Sequence, residues 1–259
     1  MTGRTALPSR LPLAVCCLAL LVGGCAAPPP GEQVVDDPRF VILETLPPGA
    51  ALAGEDLYPF EAGERTFLCL DGDAAGAEIV YSGGSTNEHD AKFALDQGAA
   101  RTEYWARDEA GNIIMPVTLD HAENALTRFD PPLLIAPRMI EPGAPVEAEA
   151  DMIVLDSRNL KRQRERGKAK RAIEYTDDQR IRTPLGEFRA KRIVVHFAAD
   201  LRLADAENTT TYWLAPDLGI IAQLREEEVR ILGLISTRKR SVSVLIETPS
   251  WDNSTNKTE

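Results

Sequence analysis

Cysteine and histidine are scarce in this chain, with four cysteines and three histidines among 259 residues. Cys16, Cys17 and Cys25 all fall at the amino-terminal end, so Cys69 stands alone in the rest of the chain and has no partner for an intramolecular disulfide. His89, His121 and His196 are far apart, and no two are spaced to share a helix face around zinc. No Gly-x-Ser-x-Gly elbow accompanies the serines. Ser82-Gly83-Gly84-Ser85-Thr86 lacks the lysine of a phosphate loop and reads as a flexible turn. No catalytic residue, metal ligand or cofactor site is therefore expected, and the chain is read as noncatalytic. Basic charge is also short, with 29 Lys and Arg against 40 Asp and Glu, a net charge of -11 that argues against nucleic acid as a partner. A membrane-spanning run is lacking too: the apolar stretch Leu11 to Val22 has 12 residues, whereas a spanning helix needs roughly 20.

That stretch has another use. Arg4 and Arg10 precede it without an acid, in the pattern of a secretory signal. It ends in Leu21-Val22-Gly23-Gly24-Cys25, similar to the lipobox of a bacterial lipoprotein precursor. The expected product begins at Cys25, which carries the lipid. Each buried CH2 of an acyl chain contributes about 0.8 kcal/mol, so two or three chains hold the protein on the membrane. Ala26 stands where an Asp would resemble an inner-membrane retention signal, so the outer membrane is expected if the host has two membranes. The alternative is an ordinary signal cleaved near Ala26-Ala27. Removing Arg4 and Arg10 from 29 basic residues leaves 27 against 40 acidic ones, a mature net charge of -13.

The segmentation read from the sequence is a signal over 1–24, a lipidated cysteine and tether over 25–38, a β domain over 39–249 and a polar tail over 250–259. Pro28-Pro29-Pro30-Gly31 and Asp36-Asp37-Pro38 keep the tether extended. Short β-rich runs separated by turn residues recur between these ends, among them 40–44, 65–70, 102–107, 112–119, 146–155, 188–198, 209–214, 219–224 and 241–247. Asp71-Gly72, Glu109-Ala110-Gly111-Asn112 and Pro142-Gly143 supply turns between them. The expected fold is all-β, a single curved antiparallel sheet or half-barrel, with at most one short helix besides the signal. Residues 88–96 suit that helix or a loop.

Lys161-Arg162-Gln163-Arg164-Glu165-Arg166-Gly167-Lys168-Ala169-Lys170-Arg171 carries seven positive charges against one negative in an otherwise acidic chain. Gly167 suggests a hairpin tip with basic arms. Lys161, Arg162, Arg164, Arg166, Lys168, Lys170 and Arg171 are candidates for an anionic surface, each contributing about 1 kcal/mol near anionic lipid before salt screening. The target would be anionic lipid or an acidic envelope partner; the competing reading is a solvated hairpin that guards a sheet edge. Cys69, in the apolar run Thr66-Phe67-Leu68-Cys69-Leu70 and followed by acids, reads as core. Asp177-Asp178 and Asp205 with Glu207 read as solvated turn acids.

Three segments in order resemble an exported bacterial β-sheet family of unknown function, the TapB-like family. They are Tyr58-Pro59-Phe60-Glu61-Ala62-Gly63, then Thr183-Pro184-Leu185-Gly186-Glu187-Phe188 leading into Ile193, then Tyr212-Trp213-Leu214-Ala215-Pro216-Asp217-Leu218-Gly219-Ile220-Ile221. The resemblance implies a strongly curved antiparallel sheet and no established activity. Three functional readings follow. The first is a membrane-anchored, noncatalytic module that binds a partner or ligand. The second is a carrier or sensor that holds an apolar ligand on a concave sheet face, which requires a cavity lined by alternate residues of 188–198 and 219–224. The third is an envelope hydrolase, whose triad would converge only in space.

Overall fold

In the computed structural model the described residues are 37–58, 62–231 and 235–247, all within a unit that runs from Val35 to the end of the chain. The strands are β1 (Val41–Leu46), β2 (Leu52–Ala53), β3 (Gly63–Asp71), β4 (Glu78–Ser85), β5 (Phe93–Asp96), β6 (Arg101–Arg107), β7 (Ile113–Asp120) and β8 (Ala125–Ala136). They continue as β9 (Met139–Ile140), β10 (Val146–Asp156), β11 (Asn159–Thr183), β12 (Gly186–Leu201), β13 (Ala204–Ala215), β14 (Gly219–Ile231) and β15 (Ile235–Glu247). The helices are one turn each, α1 (Gly54–Leu57) and a 3₁₀ turn (Glu88–Asp90). Phe93–Asp96 is a strand and not the continuation of a helix.

Apart from β1, β2 and β9, every strand pairs antiparallel with its neighbour in the chain, and β15 pairs back to β3. The sheet is therefore a closed, twelve-strand up-and-down barrel, with β1 added alongside the far part of β11. This corrects the half-barrel expectation. The all-β reading stands, but β2 and β9 form a second, two-stranded sheet, and the main sheet has no open concave face because Phe67 meets Leu245 and Cys69 meets Ser243 across the closing seam. Closure leaves no free edge in the ring.

Local chemistry explains much of the path. Pro184-Leu185 turns β11 into β12, with Thr183 facing Gly186. Pro216-Asp217-Leu218 turns β13 into β14, where Asp217 takes a φ of 62° and Gly219 one of 69°, the left-handed region that Asp tolerates and Gly favours. Pro116, Pro131 and Pro132 lie where the β7–β8 ladder is interrupted, between the pairs Met115 with Leu133 and Val117 with Arg128, as suits residues without an amide hydrogen. The Asp177-Asp178 pair is not a turn. It sits on a bulge within one continuous β11. Ser82–Ser85 belongs to β4 and Arg238–Arg240 to β15, so neither is a turn.

Each hairpin reverses direction, so the barrel has two distinguishable ends. The turns at 72–77, 97–100, 157–158 and 202–203 gather at one, and those at 108–112, 184–185 and 216–218 at the other. The segment after β1 runs across the second end as a plug. Gly49 donates to the Tyr175 hydroxyl at 2.8 Å, the Lys191 ammonium donates to the Ala50 carbonyl at 2.7 Å, and Gly54 donates to the Arg138 carbonyl at 3.0 Å. Outside the barrel, Phe40 packs edge-on against Trp213 at 4.8 Å, and the Trp213 indole donates to Gln179 at 2.7 Å. The outer wall of β10 to β12 is charged, with Lys168 paired to Glu149 and Arg192 to Asp177. A membrane-spanning barrel carries an apolar outer band instead.

Candidate functional site

Side chains alternate across a strand, so one residue in two of each barrel strand points into the lumen. Eight-strand barrels are filled by such side chains; wider ones leave space. Here the lumen holds a cavity of about 1050 Å³. Its lining includes Val195 and Phe197 of β12, Thr210 and Tyr212 of β13, and Ile220, Gln223 and Arg225 of β14. These are the alternate positions that a ligand-holding sheet requires.

The floor is aromatic. Leu57 and Tyr58, brought in by the plug, are buried, and the Tyr58 ring meets Trp105 at 5.2 Å and Tyr212 at 6.0 Å, both edge-on. Phe93 stacks on Trp105 at 5.6 Å. The Trp105 indole donates to Glu103 at 3.2 Å, and the Gln97 amide donates to the other carboxylate oxygen at 3.1 Å. Gln223 donates to the Tyr81 hydroxyl at 3.0 Å and to Ser243 at 2.9 Å. Burial pushes the hydroxyls of Tyr58, Tyr81 and Tyr212 above their ordinary values. They are neutral hydrogen-bonding groups at physiological pH.

The cavity lining extends to the end away from the plug, where Asp73, Gln97, Arg101 and Lys239 lie. Seven cationic and four acidic residues line the whole space. Several of these cations are paired: Arg225 with Glu227, Lys239 with Asp73, Arg238 with Glu228 and Arg240 with Asp71.

A second polar cluster fastens the plug. Asp178 is buried against the Tyr175 hydroxyl and takes an ion pair from Arg189 at 2.7 Å, while the Lys191 ammonium donates to the Tyr175 hydroxyl at 3.0 Å. Burial opposes charge on Asp178, but hydrogen bonds from Tyr175 and Arg189 outweigh it and hold its carboxyl below the ordinary value. Burial, then the hydrogen bond to Asp178, pushes the Tyr175 hydroxyl up to about 12. The cluster is fully engaged with protein and serves to hold residues 49 and 50.

The structure distributes the basic run differently from a hairpin tip. The tip is Ser157-Arg158, and Gly167 lies inside β11 facing Leu201. A Cβ on Gly167 would sit 1.8 Å from the Asp200 carbonyl oxygen, so close strand approach explains this glycine. Arg162 and Arg164 reach Asp156 at 3.7 and 2.9 Å, and Lys168 and Lys170 reach Glu149 at 2.7 and 3.7 Å. Lys161 and Arg166 are exposed, whereas Arg171 lines the lumen. Cys25 lies outside the described residues. Cys69 is buried, and burial raises its thiol, which suits a core residue.

The histidines do not converge. His89 lies against Tyr104 at 4.6 Å, His121 contacts the Thr102 hydroxyl at 2.9 Å and His196 the Thr209 hydroxyl at 3.0 Å. Among the described residues no group of three or more His, Cys, Asp or Glu is placed to hold a metal ion. Sequence reasoning missed Trp105, Gln223 and Arg225 as lumen residues. Their signal was alternation: polar Gln223, Arg225 and Glu227 interleave with Leu224 on β14.

No family model matches the chain, and no curated protein matches it. The TapB-like resemblance therefore rests on the three quoted segments, of which Pro59, Phe60 and Glu61 lie outside the described residues. Among solved structures the chain is similar to a crystal structure of a candidate lipoprotein from Parabacteroides distasonis. The two are 13% identical, with a TM-score of 0.33, over 74% of this chain and 97% of that one. A likeness of that size carries no argument for fold or function.

Proposed function

We propose that this protein is a lipid-anchored, noncatalytic module of the bacterial envelope that binds a small molecule in the lumen of its barrel. The observation that carries this reading is the cavity of about 1050 Å³ bounded by the plug and by alternate residues of β12 to β14. Ligand sites are concave, mostly apolar spaces with a few placed polar groups, and the aromatic floor below Gln223, Arg225 and Glu103 has that composition. A scaffold needing no ligand would gain stability by filling the space. The lipobox at Cys25 supports attachment to the membrane, the outer one in a two-membrane host.

The protein purified from its own envelope tests the reading by native mass spectrometry and lipid extraction. A stoichiometric small molecule supports it and gives the chemical class of the ligand. A clean apo mass, together with no change on Val195→Trp, which fills the lumen, overturns it. The anionic-surface role of the basic run is retained as a proposal for Lys161, Arg162 and Arg166, which are exposed. They lie at the opposite end of β11 from Arg182, which pairs with Val41 where the chain enters the sheet, a position that favours an acidic partner over the anchoring membrane.

A further inference from the structure

Arg171 is the residue of the lumen whose chemistry is least satisfied. It is carried inward by β11, between Ala169 and Ile173, which are both buried. Its Nη2 donates to the Tyr58 hydroxyl at 3.1 Å, and its Nε is buried with no hydrogen-bond partner among the described residues. Tyr58 is neutral, so this hydrogen bond brings no carboxylate into direct contact with the guanidinium. An unpaired buried N–H costs free energy. Four other basic residues of the run, Arg162, Arg164, Lys168 and Lys170, each meet a carboxylate. Arg171 also stands above the aromatic floor, because Tyr58 touches Trp105 and Tyr212. A planar guanidinium with a free Nε is suited to a carboxylate or phosphate oxygen.

Resting on the lumenal binding reading, we propose that the ligand is an amphipathic anion, with a carboxylate or phosphate group on Arg171 and an apolar body against the aromatic floor. The Tyr58 hydroxyl, already bonded to Arg171, fixes the guanidinium plane and so acts as a positioning residue.

The test uses the full chain carrying Cys25→Ser, which removes the lipid and leaves every barrel residue, titrated calorimetrically with decanoate, decyl phosphate and decanol. Both anions are expected to bind about 10- to 100-fold more tightly than the alcohol, the worth of a charge-assisted hydrogen bond. Arg171→Met brings them to the level of decanol, and Arg171→Lys keeps part of the preference. A larger gain for decyl phosphate assigns a phosphate headgroup, and a larger gain for decanoate a carboxylate. In the unsubstituted chain the Arg171 Nε–H resonance is expected to shift on adding the preferred anion, a readout that does not depend on a variant folding. Decanol binding as tightly as the anions overturns the anion site while leaving the lumenal reading intact. An anion preference that survives Arg171→Met, or an unmoved resonance, places the anion elsewhere and also overturns it. Failure of all three probes to bind overturns the amphipathic-anion proposal, and the lumenal reading is then decided by the mass of the protein purified from its envelope.

Discussion

Replacing Gly54 by alanine tests whether the plug is wedged against the barrel or merely rests on it. A Cβ at Gly54 would lie 2.1 Å from the Pro137 carbonyl oxygen, about 0.9 Å inside the 3.0 Å that real Cβ contacts respect, and 3.1 Å from the Ala136 Cβ. The opposing atom is backbone, so no flexible side chain can swing away. Separation by that amount also stretches the 3.0 Å hydrogen bond from Gly54 to Arg138. Overpacking of this kind costs about 1–3 kcal/mol. For a domain of this size each kcal/mol lowers Tm by about 2–4 °C, so Gly54→Ala should lower it by about 2–12 °C. If the plug detaches altogether, Leu57, fully buried in the floor, loses about 1.5–3 kcal/mol of burial as well. Calorimetry measures the first effect. Hydrogen exchange at residues 50–58 and a red shift of Trp105 emission measure the second, because Tyr58 packs against that indole. A Tm within about 1 °C of the parent, with exchange unchanged, would refute the wedge.

The Tyr175 cluster makes stability depend on alkaline pH. Its folded value near 12 exceeds the ordinary 10, so its contribution is complete below pH 10 and lost as pH rises through 12. Tyr175→Phe should flatten the Tm profile in that window. Asp178 has the opposite sign: its lowered value stabilises above the ordinary carboxyl value of 3.8 and the gain is lost as pH falls through the folded value, so Asp178→Asn should weaken the acid dependence. Gly167→Ala should destabilise by about 1–3 kcal/mol in urea unfolding, because the added carbon meets the Asp200 backbone; an unchanged midpoint would remove the close-approach explanation. The Cys69 thiol, 3% exposed and raised by burial, should react with a thiol reagent only as fast as the barrel opens, and a rate equal to that in urea would contradict its burial.

How much of this was legible depended on sequence distance. The turns at Pro184-Leu185 and Pro216-Asp217 were readable because the chemistry of each is confined to adjacent residues. The strand from Phe188 was readable from its alternation of Ile193, Val195 and Phe197. Closure was not, because it rests on β15 meeting β3, with Thr66 donating to Glu247 from 181 residues away. The long β11 was hidden for a different reason. Its first half presents charge outward and small or charged residues inward, so Lys161 to Arg171 lacks the apolar alternation that identifies a strand. Gly167 then looks like a turn residue, although its backbone is extended and its missing side chain admits the neighbouring strand. The same pattern concealed the site: Arg171 was grouped with its basic neighbours, and only strand parity separates it from Lys170.

That parity gives the barrel opposite electrostatics on its two sides. On the outer wall, cations lie within reach of carboxylates, as Lys168 does with Glu149 and Asp151 and Arg230 and Arg238 do with Glu228. Such exposed pairs contribute little to stability but cancel one another at short range. In the lumen, Glu103 is engaged by Gln97, Trp105 and Arg101, whereas the Arg171 guanidinium donates to the Tyr58 hydroxyl and its Nε has no partner among the described residues. A simple inorganic anion would bury no apolar surface to offset the desolvation of its charge. An amphipathic anion gains roughly 25 cal/mol for each Å² of apolar surface it buries, and its headgroup meets the Arg171 guanidinium beside the aromatic floor. The combination selects for amphiphiles by requiring both ends of the molecule at once.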